Sequence, residues 1–136
     1  MNYINLLESD LKYGIKQEDI ILELLQSYFK CNITKSNIHN SWYDYYYENN
    51  YYELKSRKFK INKYPTTMLC KNKIDKAKEV LGKTYFIFNF YDNIGVIEYN
   101  TSIFETFELK KGGRYDRGKV EENLYYYIPI EKLTII

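Results

Sequence analysis

The sequence predicts an α/β fold built on a mixed sheet, and three observations carry that prediction. Ile20, Ile21, Leu24, Leu25, Tyr28 and Phe29 recur at helical spacing, so Gln17 to about Lys30 reads as an amphipathic helix. Two runs rich in strand-favouring aromatics, Tyr43-Asp44-Tyr45-Tyr46-Tyr47 and Tyr51-Tyr52-Glu53-Leu54-Lys55, flank Glu48-Asn49-Asn50. Asn tolerates the positive φ of a tight turn, so the two runs read as a hairpin. Third, a lysine-rich amphipathic segment, Asn72 to Leu81, leads into the apolar run Thr84 to Phe90, the order of a helix feeding a buried strand.

The other elements follow in order. Met1 to Lys12 reads as a shorter helix and Asn32 to Ile38 as a short strand. In the lysine-rich helix Ile74, Ala77, Val80 and Leu81 face inward, and Gly82 is its stop. Ile94 to Tyr99, Phe104 to Leu109 and Leu124 to Ile130 are further strand candidates. At 136 residues the chain reads as one domain, with a core over about residues 12–90 and a β-rich extension over about 91–136.

Composition excludes several classes. Hydrophobic residues make up 45% of the chain and charged residues 28%, an ordinary globular balance rather than a disordered one. No apolar run approaches the roughly 18 residues that span a bilayer, and Glu8 and Asp10 interrupt any leader-like pattern. Cys31 and Cys70 form no CxxC pair, and His39 is the single histidine, so neither a disulfide framework nor a Cys/His zinc site is expected. A reducing compartment, cytosolic or nuclear, fits these features. Charge is distributed unevenly: Lys55 to Lys83 holds ten Lys/Arg against Asp75 and Glu79, a net +8 that leaves −6 on the remainder of a +2 chain. Such a run is either a solvated face or the footprint of a polyanion binder.

The hairpin carries the chemistry. If the turn falls on Asn49-Asn50, Tyr46 pairs with Glu53 and Asp44 with Lys55. Paired residues share a face and each strand alternates, so Asp44, Tyr46, Glu53, Lys55 and Arg57 project to one side. Asp44 and Glu53 become diagonal neighbours, with Cβ atoms about 7 Å apart, near enough to converge on one hard divalent cation. Lys55 stands beside them to orient water or steady a phosphate oxygen. A one-residue slip would send one strand's set to the opposite face. On the helix, Glu18 falls beside Leu22, Leu25 and Phe29, where an acid is costly unless paired or metal-bound. It also reads as a first-turn acid favoured by the helix dipole.

Gly14-x-x-x-Glu18 opening a helix, then Asp44, then Glu53-Leu54-Lys55 after a hairpin, resembles the PD-(D/E)XK nuclease superfamily. The likeness is greatest to its Holliday-junction-resolvase-like and small viral or phage members, and it covers about Lys12 to Phe90. It implies an αβββαβ restriction-endonuclease-like core, with a central mixed sheet flanked by helices. It further implies a metal held by Asp44, Glu53 and the carbonyl of Leu54, with Glu18 in support and Lys55 activating or positioning the attacking water. Tyr43 stands where the superfamily's variable proline would precede Asp44.

The bare tripeptide also occurs at Asp10-Leu11-Lys12 and at Glu108-Leu109-Lys110, the latter with Asp92 upstream. Asp92-Asn93, however, reads as a turn, and only the Glu53 copy has the helix, hairpin and basic flank together. The expected function is a Mg²⁺-dependent DNA endonuclease, with Mn²⁺ substituting, RNA remaining open as substrate, and a homodimer implied by the resemblance. Arg57, Lys58, Lys63, Lys71, Lys73 and Lys76 are the candidate phosphate contacts, although Lys58 and Lys60 also read as a solvated strand edge. Tyr45, Tyr47 and Tyr51 could stack on bases, but read better as one packed sheet face. Trp42 reads as packing, His39 as surface, and Gly112 to Gly118 as a flexible basic loop or a plain hairpin connection. Two readings of other classes stay open: a nucleic-acid-binding module without turnover, and an accessory subunit whose tyrosine-rich sheet binds a partner.

Overall fold

A computed structural model describes residues 17–38, 41–112 and 123–136. The expected first helix (Met1 to Lys12), Gly14, the Asp10-Leu11-Lys12 motif, His39 and most of the Gly112–Gly118 loop lie outside these residues. The helix α1 occupies residues 17–29. A six-stranded mixed sheet follows, assembled in the order β1 (Thr34–Lys35), β2 (Tyr45–Tyr47), β3 (Asn50–Ser56), β5 (Thr84–Asn89), β6 (Ile94–Glu98) and β9 (Thr134–Ile135). Only β3 and β5 pair in parallel. Between them run β4 (Thr66–Cys70) and α2 (Lys71–Glu79). A second, antiparallel sheet has the order β4, β8 (Asn123–Pro129), β7 (Glu108–Gly112), and the short helix α3 spans Thr101–Phe104. The α/β fold with a mixed sheet is thus the one expected, and its β-rich C-terminal part divides between two sheets.

Strand β5 explains the layering. Its run Phe86-Ile87-Phe88 is completely buried because both faces of the strand are covered. Ile87 points to the α1 side, where it packs with Ile21, Leu25, Ile33, Tyr45, Tyr52 and Val96. Phe86 and Phe88 point the other way, into a core with Leu69 of β4, Ile74 and Ala77 of α2, Phe104 and Ile128. The order of layers is therefore α1, the six-stranded sheet, then α2, α3 and the second sheet.

Several expectations are corrected here. The predicted strand Asn32 to Ile38 pairs only over Thr34–Lys35. Phe104 to Leu109 does not form one strand: Phe104 closes α3 and the strand begins at Glu108. Asn100 caps α3, accepting the Ile103 N–H at 3.0 Å, which favours a helical turn where aromatic content alone suggested extension. In α1, Ile21 and Leu25 are buried but Ile20, Leu24 and Tyr28 are exposed, so the inward stripe is narrower than the periodicity implied. Helix α2 ends at Glu79 and Val80 is already extended, which leaves Leu81 almost fully exposed rather than inward. Gly82 is not a left-handed stop. It is required because a Cβ there would lie 2.0 Å from the backbone oxygen of Asn49, where the loop crosses the hairpin turn.

The hairpin register also differs. The pairs are Tyr45 with Tyr52, Tyr46 with Tyr51 and Tyr47 with Asn50, so the turn is Glu48-Asn49 and Glu48 takes the positive φ of 51°. Asn50 is drawn into the strand by distant partners. Its side-chain oxygen accepts the Lys83 N–H at 2.9 Å, and Tyr51 N–H donates to the Lys83 carbonyl at 2.9 Å. The shift is two residues, so the paired side chains Tyr45 to Tyr47 and Asn50 to Tyr52 keep their expected faces.

Candidate active site

The paired register ends at Tyr45 opposite Tyr52, so Asp44 stands just beyond it instead of pairing with Lys55. Just before β2, Asp44 N–H donates to the Tyr52 carbonyl at 2.9 Å, and its carboxylate Oδ2 accepts the Leu54 N–H at 2.7 Å. One acid is therefore oriented by the backbone of the strand that carries the other. Tyr45 and Tyr52 anchor the hairpin from the α1 side, each fully buried, and the Tyr45 hydroxyl donates to the Glu18 carbonyl at 3.0 Å. On the opposite side Trp42, Tyr43 and Tyr51 pack as an aromatic cluster. Thus Tyr45 and Tyr47 are core residues, whereas Tyr51 belongs with Trp42.

Glu53 is only 4% exposed. Its Oε1 lies 3.3 Å from Lys55 Nζ and 3.3 Å from Lys73 Nζ, so two ammonium groups hold one buried carboxylate oxygen. Lys73 also donates to the Trp42 carbonyl at 3.2 Å. Burial nevertheless pushes the Glu53 carboxyl above its ordinary range, and the Asp44 charge adds to the shift against both lysines. Burial likewise raises Asp44, opposed by the Leu54 N–H and by Lys55, while Glu18 adds to the rise. The Asp44 charge thus makes that of Glu53 more costly, and the Glu18 charge that of Asp44.

The remaining predicted residues are distributed as follows. Glu18 stands at the start of α1, its Oε2 2.6 Å from Lys35 Nζ, close enough to act on Asp44 electrostatically. Among the described residues no three His, Cys, Asp or Glu side chains form a metal-sized group. Arg57 is mostly an internal tie: its Nε donates to the Thr67 hydroxyl at 3.1 Å, its Nη2 to the Met68 carbonyl, and its guanidinium lies over the Phe88 ring. Lys71 is held by Asp75 and Lys76 by Glu79 within α2. Lys58 and Lys63 are exposed. Asp92, the acid of the rival motif, sits in the β5–β6 turn and accepts the Ile61 N–H at 2.9 Å, while Glu108 lies on the exposed strand β7.

Lys73 is the residue that sequence reasoning placed wrongly in kind, as an outlying phosphate contact. A signal was present: Lys73 and the inward-facing Ala77 are four apart, so they share one side of α2. Lys73→Ala is expected to lower cleavage about tenfold, the lower end for loss of a residue supporting a ligand. Because the Lys73 charge lowers the Glu53 pKa, its removal should also move the acidic limb of the pH–rate profile to higher pH. A profile that falls uniformly without moving would refute this role.

A mixed α/β sheet with Asp44 at the start of a hairpin and Glu53-Leu54-Lys55 on its second strand, beneath an amphipathic helix, is compatible with the PD-(D/E)XK nuclease class that the sequence resembles. The chain belongs to the family described as "Phage putative PDDEXK endonuclease", whose model matches residues 10–135. No curated protein and no solved structure matched the chain. Among the described residues no helix is long and apolar enough to cross a membrane.

Proposed function

We propose that the protein is a divalent-metal-dependent DNA endonuclease whose working residues are Asp44, Glu53 and Lys55, with Glu18 in support. The observation that carries this reading is Asp44 beside Glu53: two partly or fully buried carboxylates on the two arms of one hairpin, with the Asp44 charge raising the Glu53 pKa and Asp44 held by the Leu54 N–H. Such an arrangement is costly in isolation, and a bound cation would relieve it. The donor set fits a hard ion, being oxygen alone: the two carboxylates and, by the family pattern, the Leu54 carbonyl. Mg²⁺ suits a site with few carboxylates, and Mn²⁺ should replace it.

When bound, such an ion supplies positive charge against the phosphate and makes water more acidic. The protein's own groups do the rest. Leu54 N–H fixes the rotamer of Asp44. Lys55 stands against Glu53 and acts electrostatically on Asp44, where its ammonium can hold a water or a phosphate oxygen once Glu53 is engaged. Lys73 keeps Glu53 in place from helix α2, and Lys58 and Lys63 attract phosphates without reading sequence.

The test is cleavage of labelled plasmid and linear DNA with Mg²⁺, Mn²⁺ or EDTA. Wild type should cut only with metal, and Asp44→Ala and Lys55→Ala should lose at least about 100-fold, more than an outer support residue costs. The two acids also predict that Mg²⁺ raises the melting temperature of wild type but not of Asp44→Ala. Folded wild type that cuts nothing in either metal would leave a binding module instead.

A further inference from the structure

Two clefts flank the C-terminal half of β3, and Arg57 borders both. One, of about 700 Å³, is lined by Glu18, Asp44 and Leu54, the acidic side of the candidate centre. The other, of about 770 Å³, runs from Lys55 and Arg57 across Met68, Tyr125 and Tyr127 on the second sheet, with Tyr64 from the preceding loop. We propose that this second cleft binds an unpaired nucleic-acid strand and leads it to the candidate centre, so that substrates carry a single-stranded segment. Its use in cleavage rests on the nuclease reading; the binding does not.

The sheet register builds the aromatic floor. Met68 pairs with Tyr127 and Cys70 with Tyr125, so these residues share one face, while Leu69 and Ile128 fill the core from the other. Gly112 lies beside them, and a Cβ there would come within 3.0 Å of the Tyr125 ring. Tyr64 is half exposed, and Tyr125 and Tyr127 are partly so. A cation accompanies two of the rings: Lys63 Nζ lies 5.6 Å from the Tyr64 centroid and Lys110 Nζ 4.5 Å from that of Tyr127. Aromatic faces interleaved with positive charge are what a single strand requires, since every base offers a π-face and every linkage a negative charge.

Charge and size choose the occupant. Among the described residues no Asp or Glu lines the cleft, and Glu108, which pairs across the sheet with Tyr127, has Lys110 Nζ at 3.4 Å. The surrounding segment from Lys55 to Lys83 carries +8. A cavity in the range that holds small ligands admits splayed bases but not the width of a duplex, which would ride over its rim. Lys55 belongs both to the cleft and to the Glu53 cluster, so a strand lying in one reaches the other.

The experiment is fluorescence anisotropy of the full chain in EDTA with oligo-dT, oligo-U, a blunt duplex, and that duplex bearing a single-stranded tail. Wild type should bind the tailed duplex and at least one oligomer at least about tenfold tighter than the blunt duplex. Each of Tyr64→Ala, Tyr125→Ala and Tyr127→Ala should weaken single-strand binding by about 5- to 100-fold, the range for loss of one stacking residue. Blunt-duplex binding and thermal unfolding should stay unchanged, and the Tyr→Phe counterparts should bind as wild type. Preference for oligo-dT or for oligo-U supports the site in either case and names its sugar. Equal affinity for tailed and blunt duplex, or folded alanine variants that bind like wild type, would overturn it. Tyrosine-dependent binding without any Mg²⁺-dependent cutting keeps the cleft and removes the nuclease reading. Cutting of blunt duplex indifferent to all three substitutions does the reverse.

Discussion

Glu53→Gln should abolish cleavage, by more than about 100-fold, while leaving the metal-free protein at least as stable as wild type near neutral pH. The first half follows from charge. A neutral amide in place of a carboxylate removes half the negative charge of the Asp44–Glu53 pair and cannot hold a hard cation comparably. The second half follows from the direction of the Glu53 shift. Its folded pKa lies above the ordinary 4.5, because burial and Asp44 outweigh Lys55 and Lys73. A raised pKa means the fold favours the protonated acid. Its contribution to stability is therefore fully present below the ordinary pKa and lost as pH rises through the folded value. Metal-free wild type should lose stability across that window, and Glu53→Gln, which mimics the neutral form, should lose less. Thermal melts in EDTA from about pH 4 to about pH 8, running upward from just below the ordinary glutamate value, would check this. A variant melting well below wild type at the upper end would show that the two lysines need the Glu53 charge for folding.

Gly82→Ala should destabilise the fold by at least about 3 kcal/mol, at the upper end for inserting one methyl group into a packed site. The added Cβ would stand 2.0 Å from the Asn49 oxygen and 2.6 Å from its carbonyl carbon, both backbone atoms of the hairpin turn. Neither can move without disturbing Asn50, whose side chain holds the Lys83 N–H, and Tyr51, which bonds the Lys83 carbonyl. A loss of roughly 10 °C in melting temperature would be expected for a chain of this size. Gly95→Ala is the control. The nearest atoms to its new Cβ belong to the Leu133 side chain, 2.8 Å to Cδ1 and 3.1 Å to Cβ, so no backbone atom is among the closest contacts and the Cδ1 end can turn aside. Urea unfolding of both variants checks the ranking, and comparable losses would mean the hairpin turn yields more readily than its backbone contacts suggest.

Where the residue pattern is local, the chain declares its own structure. The 3.6-residue recurrence through Ile21 and Leu25 fixes α1, and the alternation through Tyr45 to Tyr47 and Asn50 to Lys55 sets which of those side chains share a face. That second result survives an incorrect turn because the register error was two residues, and strand facing depends only on parity. The apolar run Phe86-Ile87-Phe88 already says that its strand is covered on both sides.

What only the tertiary structure decided is the choice of partners. Thr66-Thr67-Met68-Leu69-Cys70 carries a weak strand signal by itself, and becomes β4 because Tyr125 to Pro129 pairs with it from nearly 60 residues away in sequence. The turn moved to Glu48-Asn49 because Asn50 gains its hydrogen bond from Lys83, on the far side of the crossover. Lys73 joined Glu53, and Arg57 left the phosphate-facing surface for Thr67 and Met68, through packing of α2 and β4 against β3. Periodicity is a property of neighbouring residues and can be read from the chain alone. The partner that satisfies a buried charge or an open strand edge is selected by long-range packing, so the candidate acids and Lys55 could be proposed from the sequence while the place of Lys73 against Glu53 and the aromatic floor beside them could not.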